Sequence, residues 1–526
     1  MNCTQKCYFS LLFITLLFSE SIFSQEWNWI YYADKTGSSF NPTEYFDIKA
    51  IERRINTGIS LIDSSDFPIN EQYIKIITEN TDSSLYHSRW LNASAVLITK
   101  AQADYLKTLP FVKKIAPIAV FANPCQNEYD TTLSAIDKSI LNKQLNNMEG
   151  SIFSSGQIYG TGIRIAIFDT GFPFLNDIPV FEHLVKNKRI IKTYDFAKNK
   201  ELVYDFNPHG TSVLSCITGK IGSIRLGLAT DAEFLLARTE TNREIAQEEV
   251  YWVAALEWAD KNGAQIVNSS LGYTYHRYFP EEMDGKTSVV AQAAQIAARK
   301  GILIVNSMGN DGNNEWKVLA TPADADSILS VGAVEAASML HSNFSSFGPT
   351  ADFRLKPNIV ANGKVVAAGT KSLQTLSGTS FAAPLITGFA ACVWQLFPHY
   401  SNMDIINEIQ KSASLYPYFD YAHGYGIPKA GYFFGEKNPH PKESFQIEIQ
   451  DQKIYLIFSS TQNFKGIGSN YLYFHLADEN NKIIEYWVVE LENTSQYQLP
   501  IEKIDDNQNI RVFFRGTMKT INKIDL

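Results

Sequence analysis

The sequence predicts an α/β unit whose parallel sheet carries helices on both faces, preceded by a small α+β unit and followed by a small all-β sandwich. Three observations predict it. From Gly160 to about Gly435, short apolar runs alternate with amphipathic stretches, the signature of doubly buried strands linked by crossover helices. Before that, residues 26–121 mix strand-like and helix-like runs in a segment of small-domain length. Beyond residue 437 the pattern changes to short alternating or β-rich segments separated by polar turns. At 526 residues the chain is too long for one ordinary domain, so three folded units are a natural division.

The elements follow in order. Lys6 precedes an apolar run from Tyr8 to Phe18, with small and polar residues after it. The run is too short to span a bilayer and has the layout of a signal peptide, so residues 1–24 are expected to be removed after Ser24. Residues 25–122 hold strand-like WNWIYYA, RWLNASAVLIT and VKKIAPIAV, and helix-like PTEYFDIKAIERRIN and KAQADYLKTL. Residues 123–150 are polar and weakly periodic, and read as a linker. In residues 151–436, strands are expected at Ile163–Phe168, Phe234–Ala237, Ile266–Asn268, Ile302–Asn306 and Ile328–Val331, with helices at Ile245–Lys261 and Val289–Lys300. Residues 437–526 carry the strands of the sandwich, from Phe445–Ile449 to Ile510–Phe514.

Composition narrows the function classes. A formal net charge of -9 and a pI near 5.6 exclude the basic stripe of a nucleic-acid binder. No segment after the leader is long and apolar enough to read as a membrane span, so a mature protein without one is expected. Cys3 and Cys7 would leave with the leader. Cys125, Cys216 and Cys392 show no zinc or disulfide spacing, and the latter two sit in apolar helical stretches as small hydrophobes.

Three segments place a reactive residue where a parallel sheet presents it. In IRIAIFDTG, Asp169 ends a buried strand. In NPHGTSVLSCITG, His209 opens a helix. In LSGTSFAAPLITGFAACVWQLF, Ser380 opens a long apolar helix. Singly, each has a bland reading: a turn former, a structural histidine, a helix cap. Together they supply an orienting carboxylate, a base and a nucleophile at the carboxyl ends of strands, where α/β folds gather reactive groups.

Those runs also carry a resemblance. FDTG around Asp169, HGTS around His209, SLG at Ser270 to Gly272, GNDG around Asn310 and GTSFAAP around Ser380 resemble the motifs of the subtilisin-like serine peptidases, the subtilases, over roughly residues 150–430. Residues 26–121 resemble the prodomain of secreted subtilases, above all in KAIERRINTGI and LPFVKKI. The resemblance implies a subtilisin-like fold, a ferredoxin-like prodomain that inhibits the enzyme, and a serine endopeptidase autoprocessed from its precursor. It implies Asp169, His209 and Ser380 as catalytic triad and Asn310 with the Ser380 amide as oxyanion hole. Ser270, Leu271, Gly272, Ser307, Met308, Gly309 and Ala320 would line the S1 pocket, which implies medium or large apolar P1 residues. Protein or peptide substrates and a monomer are implied, in a secreted, periplasmic or cell-surface location. No cofactor is implied; calcium is a common structural ion in the family, but no liganding run is legible here.

The sequence departs from the family pattern in four places. Ser212 stands where a second histidine is common, Phe381 follows the serine in place of methionine, Asn362 replaces a proline and Tyr273 a glycine. None of these removes a reactive group. Asp-Thr-Gly also marks aspartic proteases, but no second copy occurs and the alternating pattern is wrong for their all-β fold. A binding protein built on a decayed peptidase core should lack a triad member, and none is missing.

Overall fold

The computed structural model describes residues 25–118, 134–435 and 443–522, apart from 242–244, 246, 275–276, 371, 452, 459–469, 493 and 502–504. The expected leader and the first part of the expected linker lie outside these residues. The N-terminal unit runs β1 (Gln25–Tyr32), α1 (Pro42–Tyr45), α2 (Ile48–Asn56), α3 (Glu71–Glu79), β2 (Ser83–Ser88), β3 (Ala93–Thr99), α4 (Lys100–Leu106) and β4 (Val112–Pro117). Its strands pair antiparallel in the order β2-β3-β1-β4, the ferredoxin-like arrangement. The helix expected over PTEYFDIKAIERRIN is two helices. Asp47 interrupts it, its carboxylate accepting the Lys49 amide hydrogen at 2.9 Å and so starting α2 anew.

The expected linker is shorter than residues 123–150. α5 (Ala135–Asn146) occupies most of its second half, α6 (Gly150–Ser155) starts at its last residue, and both belong to the central α/β unit. Gln144 donates to the Leu226 carbonyl at 2.7 Å and accepts from the Val366 amide at 2.8 Å, while Ile140, Met148 and Phe153 enter the main core. The polar spacing of DKSILNKQLNN hides this because one thin apolar edge and one buried glutamine hold the helix.

The central sheet collects β5 (Arg164–Asp169), β6 (Ile190–Asp195), β9 (Glu233–Arg238), β10 (Ile266–Ser269), β11 (Leu303–Ser307), β12 (Leu329–Val334) and β13 (Ile359–Asn362). Its order is β13-β12-β11-β10-β5-β9-β6, all parallel. Between them stand α7 (Glu182–Lys186), α8 (His209–Thr218), the small pair β7 (Lys220–Ile221) and β8 (Ile224–Arg225), α9 (Gln247–Lys261) and α10 (Val289–Arg299). The hairpin β14 (Lys364–Ala368) and β15 (Leu373–Ser377), then α11 (Thr379–Leu396) and α12 (Asn402–Lys411), complete the unit. Strand alternation splits the core in two. Ile165 and Ile167 of β5 face α8 and α11, whereas Ala166 and Phe168 face α9 and α10. Among the described residues α11 is the one helix long and apolar enough to cross a membrane, and 83% of it is buried inside the protein.

The C-terminal unit holds β16 (Phe445–Gln450), β17 (Lys453–Phe458), β18 (Tyr471–Asp478), β19 (Ile483–Glu490), β20 (Gln496–Gln498), β21 (Gln508–Phe514) and β22 (Thr517–Asn522). They form two sheets, β16-β17-β20 and β19-β18-β21-β22, that share one core through Leu456, Phe458, Leu472, Phe474, Val512 and Phe514. The outer face of β18 and β21 is buried too, since Tyr473 and Phe513 pack on Leu415 and Tyr418 of the catalytic unit.

Candidate active site

Three strand ends build the site. Asp169 closes β5 fully buried, and its Oδ1 accepts from the Thr170 amide at 2.7 Å and from His209 Nδ1 at 2.8 Å. An ionised carboxylate only accepts, so Nδ1 carries the proton and Nε2 keeps its lone pair. Close helix seating makes this pair. A Cβ on Gly210 would lie 2.4 Å from the Gly171 carbonyl oxygen and 2.9 Å from Asp169 Cβ, so only glycine lets α8 approach β5 this far. Asn207 Oδ1 accepts the His209 amide hydrogen at 3.0 Å and fixes the start of α8. The His209 side chain is 28% exposed on its open edge, and its ring centroid is 5.5 Å from that of Phe381, the neighbour of Ser380. Burial alone would lower the His209 pKa. The charge of Asp169 and its hydrogen bond outweigh that and raise it above the ordinary 6.5.

Ser380 is the second residue of α11, in the first turn, where amides lack intrahelical acceptors and point outward. Its hydroxyl donates to the Ser270 carbonyl at 3.2 Å. Pro384 is the sixth residue of the helix, past its first turn, so its missing N–H leaves the Ser380 carbonyl without its helical donor. Ser270 Oγ supplies that donor at 2.8 Å. The sequence reading placed Ser270 only in a pocket wall; it also completes the hydrogen bonding of α11.

Asn310 follows β11 and is exposed. The Thr379 amide donates to its Oδ1 at 2.8 Å, which leaves the Nδ2 hydrogens for an incoming ligand. Thr379 thus orients the Asn310 side-chain amide, a contact that motif reading passed over as part of GTS. The residues expected to line S1 also converge. Tyr273 and Thr321 exchange backbone bonds at 2.9 and 3.2 Å, and the Ala320 amide donates to the Met308 carbonyl at 2.9 Å, so one segment ties both walls together. Ser270, Leu271 and Gly272 extend from β10, and Ser307, Met308 and Gly309 from β11. Met308 turns its side chain into a small core with Leu319 and Ala323 and offers the pocket only backbone. Ala320 Cβ lies 2.7 Å from where a Cβ on Gly272 would stand and 3.4 Å from one on Gly309, so its methyl sits between the two glycines.

The departures from the family pattern have structural partners. Ser212 donates to the Ala368 carbonyl at 2.7 Å, Asn362 accepts from Asn147 at 2.9 Å, and the Tyr273 hydroxyl donates to Glu240 at 3.0 Å. Among the described residues no three His, Cys, Asp or Glu side chains converge closely enough to hold a metal ion.

A carboxylate, imidazole, hydroxyl and free amide donor at the carboxyl edge of a seven-stranded parallel sheet define a serine hydrolase of the subtilisin-like class. The chain belongs to the subtilase family, a family of serine endopeptidases: the Subtilase family model matches residues 160–426, and the model of the Peptidase S8 propeptide domain, Bacteroidota, matches residues 28–133. The chain is 30% identical over 275 residues to the thermostable alkaline protease of Halalkalibacterium halodurans, covering 52% of this chain and 68% of that one. It is 29% identical over 264 residues to subtilisin Savinase of Lederbergia lenta, covering 48% and 84%. Several other relatives are spanned over 64% or 60% of their own length. The fold is similar to that of the epidermin leader peptide processing serine protease of Staphylococcus aureus, with a TM-score of 0.56 and 17% identity over 79% of this chain and 100% of that one.

Proposed function

We propose that the protein is a secreted, self-processed endopeptidase that cleaves peptide bonds through an acyl-enzyme. The observation that carries this reading is the buried Asp169–His209 pair at 2.8 Å beside a serine at a helix N-terminus. In this mechanism the Ser380 hydroxyl turns from the Ser270 carbonyl, where it rests at 3.2 Å, to His209 Nε2. His209 takes the proton as Oγ attacks the scissile carbonyl, and Asp169 stabilises the imidazolium that forms. The Asn310 amide and the Ser380 N–H receive the oxyanion. His209 then protonates the leaving amine, and water repeats the sequence to release the acid. Secretion rests on the N-terminal apolar run, and substrates are proteins or peptides.

Only the neutral imidazole can accept the serine proton, which sets a pH dependence. Since Asp169 raises the His209 pKa, the acid limb of kcat/KM should reach half-maximum above pH 6.5. A limb centred below that value would contradict the pairing described.

Specificity follows from the base of the slot. No carboxylate stands among the seven lining residues, so a basic P1 side chain would lose hydration without a partner. The Ala320 methyl would restrict the pocket, so small to medium apolar P1 residues should be cleaved best, a shift toward smaller side chains than the medium or large range the motifs imply. Peptide-library profiling checks this. Ala320→Gly should raise kcat/KM for P1 Phe relative to P1 Ala by about tenfold or more, the worth of a methylene-sized change in an apolar pocket. A profile dominated by Arg or Lys, or unmoved by Ala320→Gly, would refute it.

The prodomain is placed to inhibit. Its sheet packs through Trp29, Ala93 and Ala95 on Val250 of α9, and Ile118, where the chain leaves β4, joins the same cluster with Val289 of α10. Both helices begin at the carboxyl edge of the sheet, so the chain departs on the side of the cleft.

A further inference from the structure

Helix α2 is inverted relative to an ordinary surface helix. It buries Arg53 and Arg54, which are 4% and 0% exposed, and turns Ile48 and Ile55 to solvent. The arginines reach into the catalytic unit. Arg53 pairs with Asp260 near the end of α9 and donates to the backbone carbonyls of Ala264 and, at 3.1 Å, Lys300. Arg54 lies over the Phe46 ring and bridges Asp260 at 2.9 Å and Asp66 at 2.7 Å. The Lys300 ammonium closes the circuit on Asp66 at 2.8 Å, and Lys49 donates to the Gly162 carbonyl at 2.8 Å.

The acceptors share a location. Gly162, Ala264 and Lys300 stand just before β5, β10 and β11, three neighbouring strands of the central sheet. The glycines that close α9 and α10 are shaped to this contact. A Cβ on Gly263 would lie 2.7 Å from Lys49 Cβ, and one on Gly301 would lie 2.9 Å from Ile59 Cδ1. All of this is at the amino edge of the sheet, a strand length from the triad, or roughly 20 Å at about 3.3 Å per residue. The α2 contact therefore cannot obstruct the cleft.

We propose that α2 is a dedicated anchor by which the prodomain grips the base of the catalytic sheet, and that this grip sets how long the cleaved prodomain stays bound. The proposal rests on the reading that the enzyme cuts its prodomain free. Two footprints on one rigid unit, the sheet face on α9 and α10 and the arginine helix at the base, must open together for release. Buried ion pairs are weakly screened, so the complex should persist at high salt. Arg53 is the informative position, because its side-chain partners Asp260, Ala264 and Lys300 all lie in the catalytic unit and its substitution leaves the mature enzyme chemically unchanged.

The test uses the full-length precursor. A denaturing gel reports the cut, and size-exclusion chromatography after dilution reports whether the two pieces still travel together. Wild type should be cut yet co-elute. In Arg53→Met the pieces should separate about tenfold faster or more, because a buried partner is left uncompensated. The exposed Ile48→Ser control should match wild type. If Arg53→Met precursor does not fold, Lys49→Met, whose partners are the Gly162 carbonyl and Glu233, should still shorten the lifetime. If the wild type is never cut, self-processing fails. The anchor is then tested on Ser380→Ala precursor nicked between residues 118 and 134 by an added protease. Equal lifetimes for wild type and the anchor variants in either format would overturn the proposal.

Discussion

Ser380→Ala should accumulate as a folded, uncut precursor with no peptidase activity. The hydroxyl makes one hydrogen bond, at 3.2 Å to the Ser270 carbonyl, so its loss costs about 0.5–1.5 kcal/mol of stability. Ser380 is not the cap of its helix, since Gly378 holds that place, and no capping interaction is removed. Activity on a small peptide ester should fall by roughly 10⁶-fold, the loss that removing the nucleophile causes in subtilisin. Asp169→Asn and His209→Ala should also block maturation, because orienter, base and nucleophile act as one unit. Wild type should mature to a form whose first residue lies before Ser134, since α5 from Ala135 onward is fastened to the core through Gln144. A protease-deficient host is needed for the comparison. Maturation of Ser380→Ala there at the wild-type rate would refute self-processing.

Asn310→Ala should lower kcat by about 10²–10³-fold, the fall that loss of this oxyanion donor causes in subtilisin. KM should change little, because the Nδ2 hydrogens meet charge that develops only in the transition state. The exposed Asn310 side chain supports no core packing; its structural role is to accept the Thr379 amide hydrogen at 2.8 Å. Folding should therefore survive, and steady-state kinetics on the ester separate the two constants. A change of only a few-fold in kcat, or a loss confined to KM, would assign Asn310 to substrate binding instead.

Much of this architecture was legible in the sequence because its strands are short, apolar and doubly buried. IRIAIFD, EFLLAR and LIVNS cannot avoid reading as core strands. The expected triad residues stand out in the sequence for a related reason: each ends a strand or starts a helix, where local sequence marks the boundary. What stayed hidden depends on tertiary partners. α5 is held by a single buried glutamine and a thin apolar edge. The stretch from Ile48 reads only as helix-like, and that it buries Arg53 and Arg54 stays hidden because Asp260 and Lys300 lie more than 200 residues onward in the chain. The hydrogen bond from Thr379 needed the Asn310 amide opposite it, and the packing of Ala320 needed Gly272 and Gly309 on either side. Pairwise contacts of this kind leave no periodicity to read.

The most direct test of the triad is covalent labelling of the matured protein with a fluorophosphonate, followed by mass mapping of the modified peptide. Attack by an activated serine should place one adduct on Ser380, in the peptide containing GTSFAAP. Peptidase activity should disappear in step with labelling, and His209→Ala should slow both. An unlabelled Ser380 in a preparation that still cleaves peptides, or full labelling with activity intact, would contradict the assignment of Ser380 as the nucleophile.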